Sequence, residues 1–587
     1  MRFKIALAAA AALWVAAPLA ATPESDFRQL LDDHYRWLLS ESPTFATSLG
    51  VRDYDDRIED LSPEARAARV RQAQTFLRRL DAIPAAQLSE ADRVNAAILR
   101  RGLSEALELE RFGQRNMLFT TYYGWHQGFA SLGTNLPFRT RADYQSYLTR
   151  IAQYPRLNDQ AIAITREAVR GGFTLPCSVL DGYERSISGV IATDPAQSRF
   201  YEPFTRARPV DVSEADWTAM QQRARTIITG TVNPAYQRHL DYYMTEYRPR
   251  CARSDSISAQ PGGREYYAFR VRESTTTDLT PQQIHQIGMA EVTRIRAEMD
   301  TVAREAGFET RQAYIQHLRT DPRYFATTPE QLMRETARVA KEIDGHMPEL
   351  FGRLPRLPYG IREIPAEIAD RTTTAYYNSG SPESGIAGTY YVNTSKLDQR
   401  PLWEIPALSL HEAVPGHHHQ IALQQELDLP PFRRNFTSFT AFTEGWGLYA
   451  ESLGTPMGLY NTPARRMGQL SYQMWRAARL VVDTGIHAMN WDKARAVAFM
   501  RENTALTDAN IDAEVNRYIS WPGQALGYMI GNIRIRELRA RAERELGGRF
   551  DVRRFHDAVL ANGSVPLDVL EAEITRWIAA EQARPAS

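Results

Sequence analysis

Apolar residues recur at three- and four-residue spacing along most of this 587-residue chain, and only one long stretch departs from that pattern. Segments such as Phe27-Arg-Gln-Leu-Leu-Asp-Asp-His-Tyr-Arg-Trp-Leu-Leu39 put their apolar side chains on one face of a helix. Ser, Thr and Pro punctuate the segments. Leu61-Ser62-Pro63, Ser213-x-x-Asp216, Thr280-Pro281 and Thr328-Pro329 all read as helix starts, because a hydroxyl caps free N–H groups and Pro suits the first turn. Between about Leu354 and Asn393, Gly and Pro become frequent. Two runs rich in Tyr, Thr and Val, Thr372–Tyr377 and Gly388–Asn393, read there as strands joined by a Ser/Gly loop. The expected fold is therefore mainly α, with a small β-sheet at about 370–394. Arg248–Arg264 has little apolar periodicity and is the best boundary, giving a helical lobe at 22–250 and a second at 265–587.

Composition narrows the function. Lys+Arg and Asp+Glu are both 70, so no overall field draws the chain to nucleic acid or to basic partners. Arg2 and Lys4 precede an apolar run, Ile5 to Ala17, too short for the ~20 residues of a membrane span. Small residues follow, with cleavage expected near Ala20 and Ala21. Residues 1–21 read as a signal peptide, and the mature protein as periplasmic or secreted, without stable membrane insertion. No cysteine lies near the cleavage region, which argues against a lipoprotein anchor. In that oxidising compartment, Cys177 and Cys251 either pair as a structural disulfide or remain two buried thiols.

Chemistry concentrates at Leu408-Ser-Leu-His411-Glu412-Ala-Val-Pro415-Gly416-His417-His418-His419-Gln420, which holds four of the chain's 12 histidines. Zinc hydrolases of the His-Glu-x-x-His type set two ligands one helical turn apart, with Glu as the base. Here Pro415 stands four residues after His411. Deleting Pro415 and Gly416 would restore the pattern. On a straight helix six residues turn ~600°, which aims His417 about 120° away from His411. A bulge at Pro-Gly would absorb the insertion. His417 is the favoured second ligand. His418 is its rival, closer in angle but ~10 Å along the axis. Glu444 is the candidate third ligand, in Phe439-Thr-Ala-Phe-Thr-Glu444-Gly-Trp-Gly-Leu-Tyr-Ala-Glu451. Glu451, two turns on, could hold a ligand ring. Two His and one Glu leave one position open for water, as catalytic zinc requires. A solvated His loop, or a metal binder without catalysis, is the plainer reading.

With these residues the sequence resembles the bacterial DUF885 family, related to gluzincin-type metallopeptidases. The likeness covers most of the mature chain. It rests on Thr275–Pro281, Tyr390–Asn393, His411–His418, Thr443–Trp446, Val482–His487 and Tyr518–Tyr528. The loop Pro382–Gly388 departs from the Asp-Gly-Ser-Arg-Pro-Gly character of its relatives, so specificity cannot be borrowed from them. The resemblance implies a two-lobed, zincin-like helical peptidase with a deep cleft and the sheet beside the metal.

The expected activity is zinc-dependent hydrolysis of short peptides, with Glu412 as general base. His487, oriented by Asp483, and Tyr528 are candidate oxyanion donors; a core histidine and a packing tyrosine are the level alternatives. Arg517 could bind a peptide's C-terminal carboxylate or serve a structural ion pair. Gly388–Asn393 could pair with substrate backbone as an edge strand or sit in the core. Other classes are a zinc amidase or deacylase, and a non-catalytic peptide- or metal-binding protein. A serine hydrolase is disfavoured for want of a Gly-x-Ser-x-Gly elbow.

Overall fold

Capping residues start the helices where the sequence places them. Thr280 accepts from the Gln283 N–H in a capping box, Thr328 from Gln331 and Ser213 from Asp216. The computed structural model describes residues 22–585 apart from 135, 370, 371 and 384, and the expected signal peptide at 1–21 lies outside the described residues. The architecture is mainly helical. Apolar faces from Phe27 to Ile578 merge into one hydrophobic cluster. No described helix is long and apolar enough to cross a membrane. Cys177 and Cys251 form a disulfide, Cα atoms 5.0 Å apart, beside the Cys177 N–H to Ala252 O bond.

The helices around the site follow in chain order. Helix α1 spans Pro281–Glu305 and α2 spans Pro329–Leu350. Three strands come next: β1 (Tyr359–Glu363), β2 (Ala375–Asn378) and β3 (Gly388–Val392), in the order β1-β3-β2. Strand β3 runs parallel to β1 and antiparallel to β2, with Tyr390 opposite Ile361 and Tyr377. The two expected strands are present, and β1 is additional. Its sequence, Tyr-Gly-Ile-Arg-Glu, contains a Gly and two charges, so it carries almost no strand signal. Strand β3 occupies the middle of the sheet. Its ladder groups are therefore taken on both sides, and the edge-strand reading of Gly388–Asn393 is corrected.

Beyond the sheet lie α3 (Ile405–Glu412), α4 (His417–Glu426), α5 (Thr440–Ser452), α6 (Pro463–Met489), α7 (Asp508–Ser520) and α8 (Gly527–Leu546). Helix α6 is central. From Leu470 to His487 every residue is buried, as expected of a helix enclosed on all sides. It packs along α1 and also meets α3, α5, α7 and α8. Its buried Arg476, Arg479 and Asp483 must therefore find partners inside the protein.

Helices α5 and α8 approach through glycine. A Cβ on Gly531 would stand 1.8 Å from the Ala441 carbonyl oxygen, and one on Gly445 would stand 2.5 Å from the Gly531 Cα. Backbone cannot yield as a flexible side chain does. Gly531→Ala is expected to cost about 3 kcal/mol or more, read as a lower urea midpoint. An unchanged midpoint would contradict this contact.

Candidate metal centre

The Pro-Gly insertion stops a helix. Helix α3 ends at Glu412 and α4 begins at His417, with Ala413–Gly416 as a link. The expected bulge within one helix is corrected to a break between two. Pro415 has no N–H to return to the preceding turn, and the Val414–Pro415 peptide is cis. Trp446 of α5 donates its indole N–H to the Pro415 carbonyl at 2.7 Å and ties the link down.

His411 lies on the surface of α5. A Cβ on Gly447 would meet its ring atoms at 2.8–3.1 Å, so glycine makes the seat for the imidazole. Glu444 stands one turn before Gly447 and Glu451 one turn after, on the same face. His411 Nδ1 donates to Glu451 Oε1 at 2.8 Å, and its Nε2 lies 3.5 Å from Glu444 Oε2. His417 Nε2 reaches the same Glu444 oxygen at 3.4 Å. The two imidazoles meet edge to face, centroids 4.7 Å apart.

These three side chains can hold a metal ion. Their ligand atoms lie within 4.8 Å of one another. A tetrahedral zinc with bonds of ~2.0–2.1 Å separates its ligands by roughly 3.3–3.4 Å, close to the two His–Glu444 distances. Neutral imidazole nitrogen and carboxylate oxygen suit zinc, and the Glu451 bond leaves His411 Nε2 free to face the cluster. Side-chain exposure rises from 2% at His411 through 12% at His417 to 20% at Glu444, so the carboxylate end reaches solvent.

The electrostatics report the same convergence. Burial works to lower the His411 pKa, but Glu444 and Glu451 outweigh it and lift it to about 9. Burial works to raise Glu444, and the His417 and His411 rings pull it well below the usual carboxylate range. Glu412, next to His411, is 8% exposed, and its charge is felt at the buried Tyr390 hydroxyl. Among the described residues its carboxylate makes no ion pair.

His418 faces the sheet. Its Nε2 donates to the Leu357 carbonyl at 3.0 Å, and its Nδ1 accepts from the Tyr377 hydroxyl at 2.9 Å. It fixes α4 to β2 and has no nitrogen left for a metal. Tyr528 lies beside His411, its ring parallel to the imidazole within 13° and 6.4 Å away by centroid, with Arg517 donating to its hydroxyl at 3.0 Å.

His487 is placed elsewhere, which corrects its reading as an oxyanion donor. Its ring is fully buried, Nδ1 accepts from the Ile257 N–H at 3.1 Å, and Nε2 donates to the Tyr518 carbonyl at 2.9 Å. It has no proton to offer a substrate. Asp483 does not orient it either: it accepts from the Tyr267 hydroxyl at 2.6 Å and from the Gly523 N–H. Gly447, Trp446 and Tyr377 also shape the site, and none of them belongs to the candidate set read from the sequence. The two glycines flanking Trp446 in a helical segment were the available signal.

The family of bacterial proteins of unknown function DUF885 matches residues 43–574, and the chain belongs to it. Among solved structures it is similar to a candidate lipoprotein from Colwellia psychrerythraea, 26% identical, with a TM-score of 0.88 over 95% of this chain and 100% of that one. A candidate lipoprotein of unknown function from Shewanella oneidensis shares the fold at 18% identity and a TM-score of 0.70, with 95% and 100% covered. No curated protein matches the chain.

A zinc ligand must be unprotonated, and His411 holds a proton below about 9. If zinc is the ion this cluster takes, its binding at pH 7 is therefore expected to release about one proton, with apparent affinity rising about tenfold per pH unit toward pH 9. Calorimetry in buffers of different ionisation enthalpy reads this directly. Glu451→Gln is expected to weaken zinc affinity about 10–100-fold without unfolding the chain, measured by competition with a chelator.

Proposed function

We propose that this protein is an exported zinc-dependent peptidase that hydrolyses short peptides, related in its site to gluzincin-type enzymes. One observation carries the reading. Two histidine Nε2 atoms and the Glu444 carboxylate converge beside Glu412, and a further carboxylate, Glu451, orients the first ring. A passive metal binder needs the ligands but has no use for a buried Glu412 that makes no ion pair among the described residues. The description of the Colwellia psychrerythraea relative as a candidate lipoprotein supports export. The two-lobed, zincin-like form and the deep cleft belong to this proposal.

His411, His417 and Glu444 would hold the ion, which supplies Lewis acidity to acidify a water and polarise a peptide carbonyl. The remaining work falls to the chain. Glu451 keeps the His411 proton on Nδ1, so that Nε2 presents its lone pair. Glu412 takes a proton from the attacking water and delivers it to the leaving amine. Tyr528, held through its hydroxyl by Arg517, is the donor available to a developing oxyanion.

Elemental mass spectrometry of the purified mature protein is expected to find about one zinc per chain, and little in His411→Ala. Glu412→Gln should keep the zinc and lose at least about 100-fold in kcat/KM on short peptides. A zinc-loaded Glu412→Gln variant as active as wild type would overturn the mechanism. Absence of metal after zinc is supplied would overturn the reading as a whole.

A further inference from the structure

Behind Tyr528 the charges do not balance. Arg479 of α6 and Arg517 of α7 both converge on Glu514, whose side chain is fully buried. Arg479 Nη2 donates to Glu514 Oε2 at 2.7 Å, and Arg517 Nη1 lies 3.5 Å from Oε1. The Tyr518 hydroxyl and the Trp475 indole N–H donate to Oε2 at 2.7 and 3.2 Å, and the Tyr122 hydroxyl to Oε1 at 3.4 Å. Burial works to raise the Glu514 pKa, but the two guanidiniums and Tyr518 hold it at about 2, so it stays ionised. Two guanidiniums therefore share one carboxylate, leaving one positive charge in an enclosed place. An uncompensated charge away from water is costly. Arg479 Nη1 and Arg517 Nε are also buried without a hydrogen-bond partner.

This excess charge adjoins the metal centre. The Arg479 guanidinium carbon sits 4.2 Å from the centre of the Tyr528 ring, and the same ring lies parallel to His411. Arg517 binds the Tyr528 hydroxyl and is the more accessible of the pair, at 11% against 2% side-chain exposure. Trp521 and Tyr123, with ring centroids 5.2 Å apart, stand next to it, and Tyr123 is 46% exposed. A cation behind an aromatic wall, one side chain away from the metal ligands, is a place for an anionic end of a substrate.

We infer that Arg517, backed by Arg479, binds the free C-terminal carboxylate of the substrate, so that the peptides taken are those with an unblocked terminus close to the bond cleaved. The inference rests on the peptidase reading for its substrate but not for its charge argument. The carboxylate supplies the missing negative charge, and the Trp521–Tyr123 pair offers an apolar surface for the terminal side chain. Arg517 is then a binding residue rather than half of a structural ion pair. Arg517 Nη2 also donates to Gln524 Oε1 at 2.7 Å, so Arg517→Met loses this bond and the one to Tyr528 while it leaves Arg479 and Glu514 as a neutral pair. The two roles therefore differ in ligand selectivity, which only the binding role predicts to change.

The test is calorimetric titration of N-acetyl-L-phenylalanine, its C-terminal amide and acetate into wild type and Arg517→Met. Each is run metal-stripped and zinc-supplied. The acid is expected to bind at least tenfold tighter than the amide in wild type, with or without zinc, and the ratio should fall toward one in Arg517→Met. Equal binding of acid and amide, no binding of either, or an acid preference that survives in Arg517→Met would overturn the inference. Acetate binding as tightly as the acid would assign the site to a small free anion and also overturn it. Cleavage of matched free-acid and amidated peptides separates the two readings. Acid-selective binding without cleavage of any peptide would sink the peptidase while the carboxylate site stands. Equal cleavage of both forms would do the reverse.

Discussion

The His411 ring seated on Gly447, between Glu444 and Glu451, is the contact on which the rest of the site depends. A Cβ at that position would strike the ring, so α5 can receive the imidazole only where it has no side chain. One turn to either side a carboxylate closes on the ring, one at each nitrogen. The same helix must also lie close to α8, and does so through Gly445 against Gly531. Glycine in mid-helix costs roughly 1 kcal/mol each relative to alanine. Here it is accepted on two faces of one helix, because one face takes the His411 ring and the other takes a neighbouring backbone.

The Pro-Gly insertion makes sense against that seat. An unbroken helix would carry the second histidine around to the wrong side. Ending α3 at Glu412 and restarting at His417 frees the direction of α4, and the Trp446 bond to Pro415 sets it. Three adjacent histidines then serve three surroundings. His417 faces Glu444, His418 bonds to the sheet, and His419 packs on Phe351 at 4.6 Å between ring centroids. Burial lowers the pKa of His418 to about 4 and that of His419 to about 3, so both remain neutral.

Helix α6 joins this site to the buried charges behind it. Its Arg476 lies 3.5 Å from Glu451, and its Arg479 pairs with Glu514 and covers Tyr528. A helix buried on all sides usually carries apolar residues throughout. Two of the charges kept here meet Glu451, which holds His411, and Glu514, which Arg517 also approaches. Asp483, further along, is pushed up to about 7 by burial, despite the bonds from Tyr267 and Gly523.

Much of this was legible in the chain because it is local. Helix periodicity, the Thr280, Thr328 and Ser213 caps and the strands at β2 and β3 depend on neighbours in sequence. The candidate cluster was legible in part because spacing constrains it: Glu444 and Glu451 are seven residues apart and so share a helical face. The tertiary structure alone decided that His417 rather than His418 joins the cluster, since the choice rests on Leu357 and Tyr377, about 60 and 40 residues earlier in the chain. It also decided that His487 is saturated by backbone from Ile257 and Tyr518, and that β3 lies inside its sheet because β1 covers it. The physical reason is the same in each case. A side chain's type and local direction come from its own segment, but which of its polar atoms remain free is settled only when distant segments have taken the others.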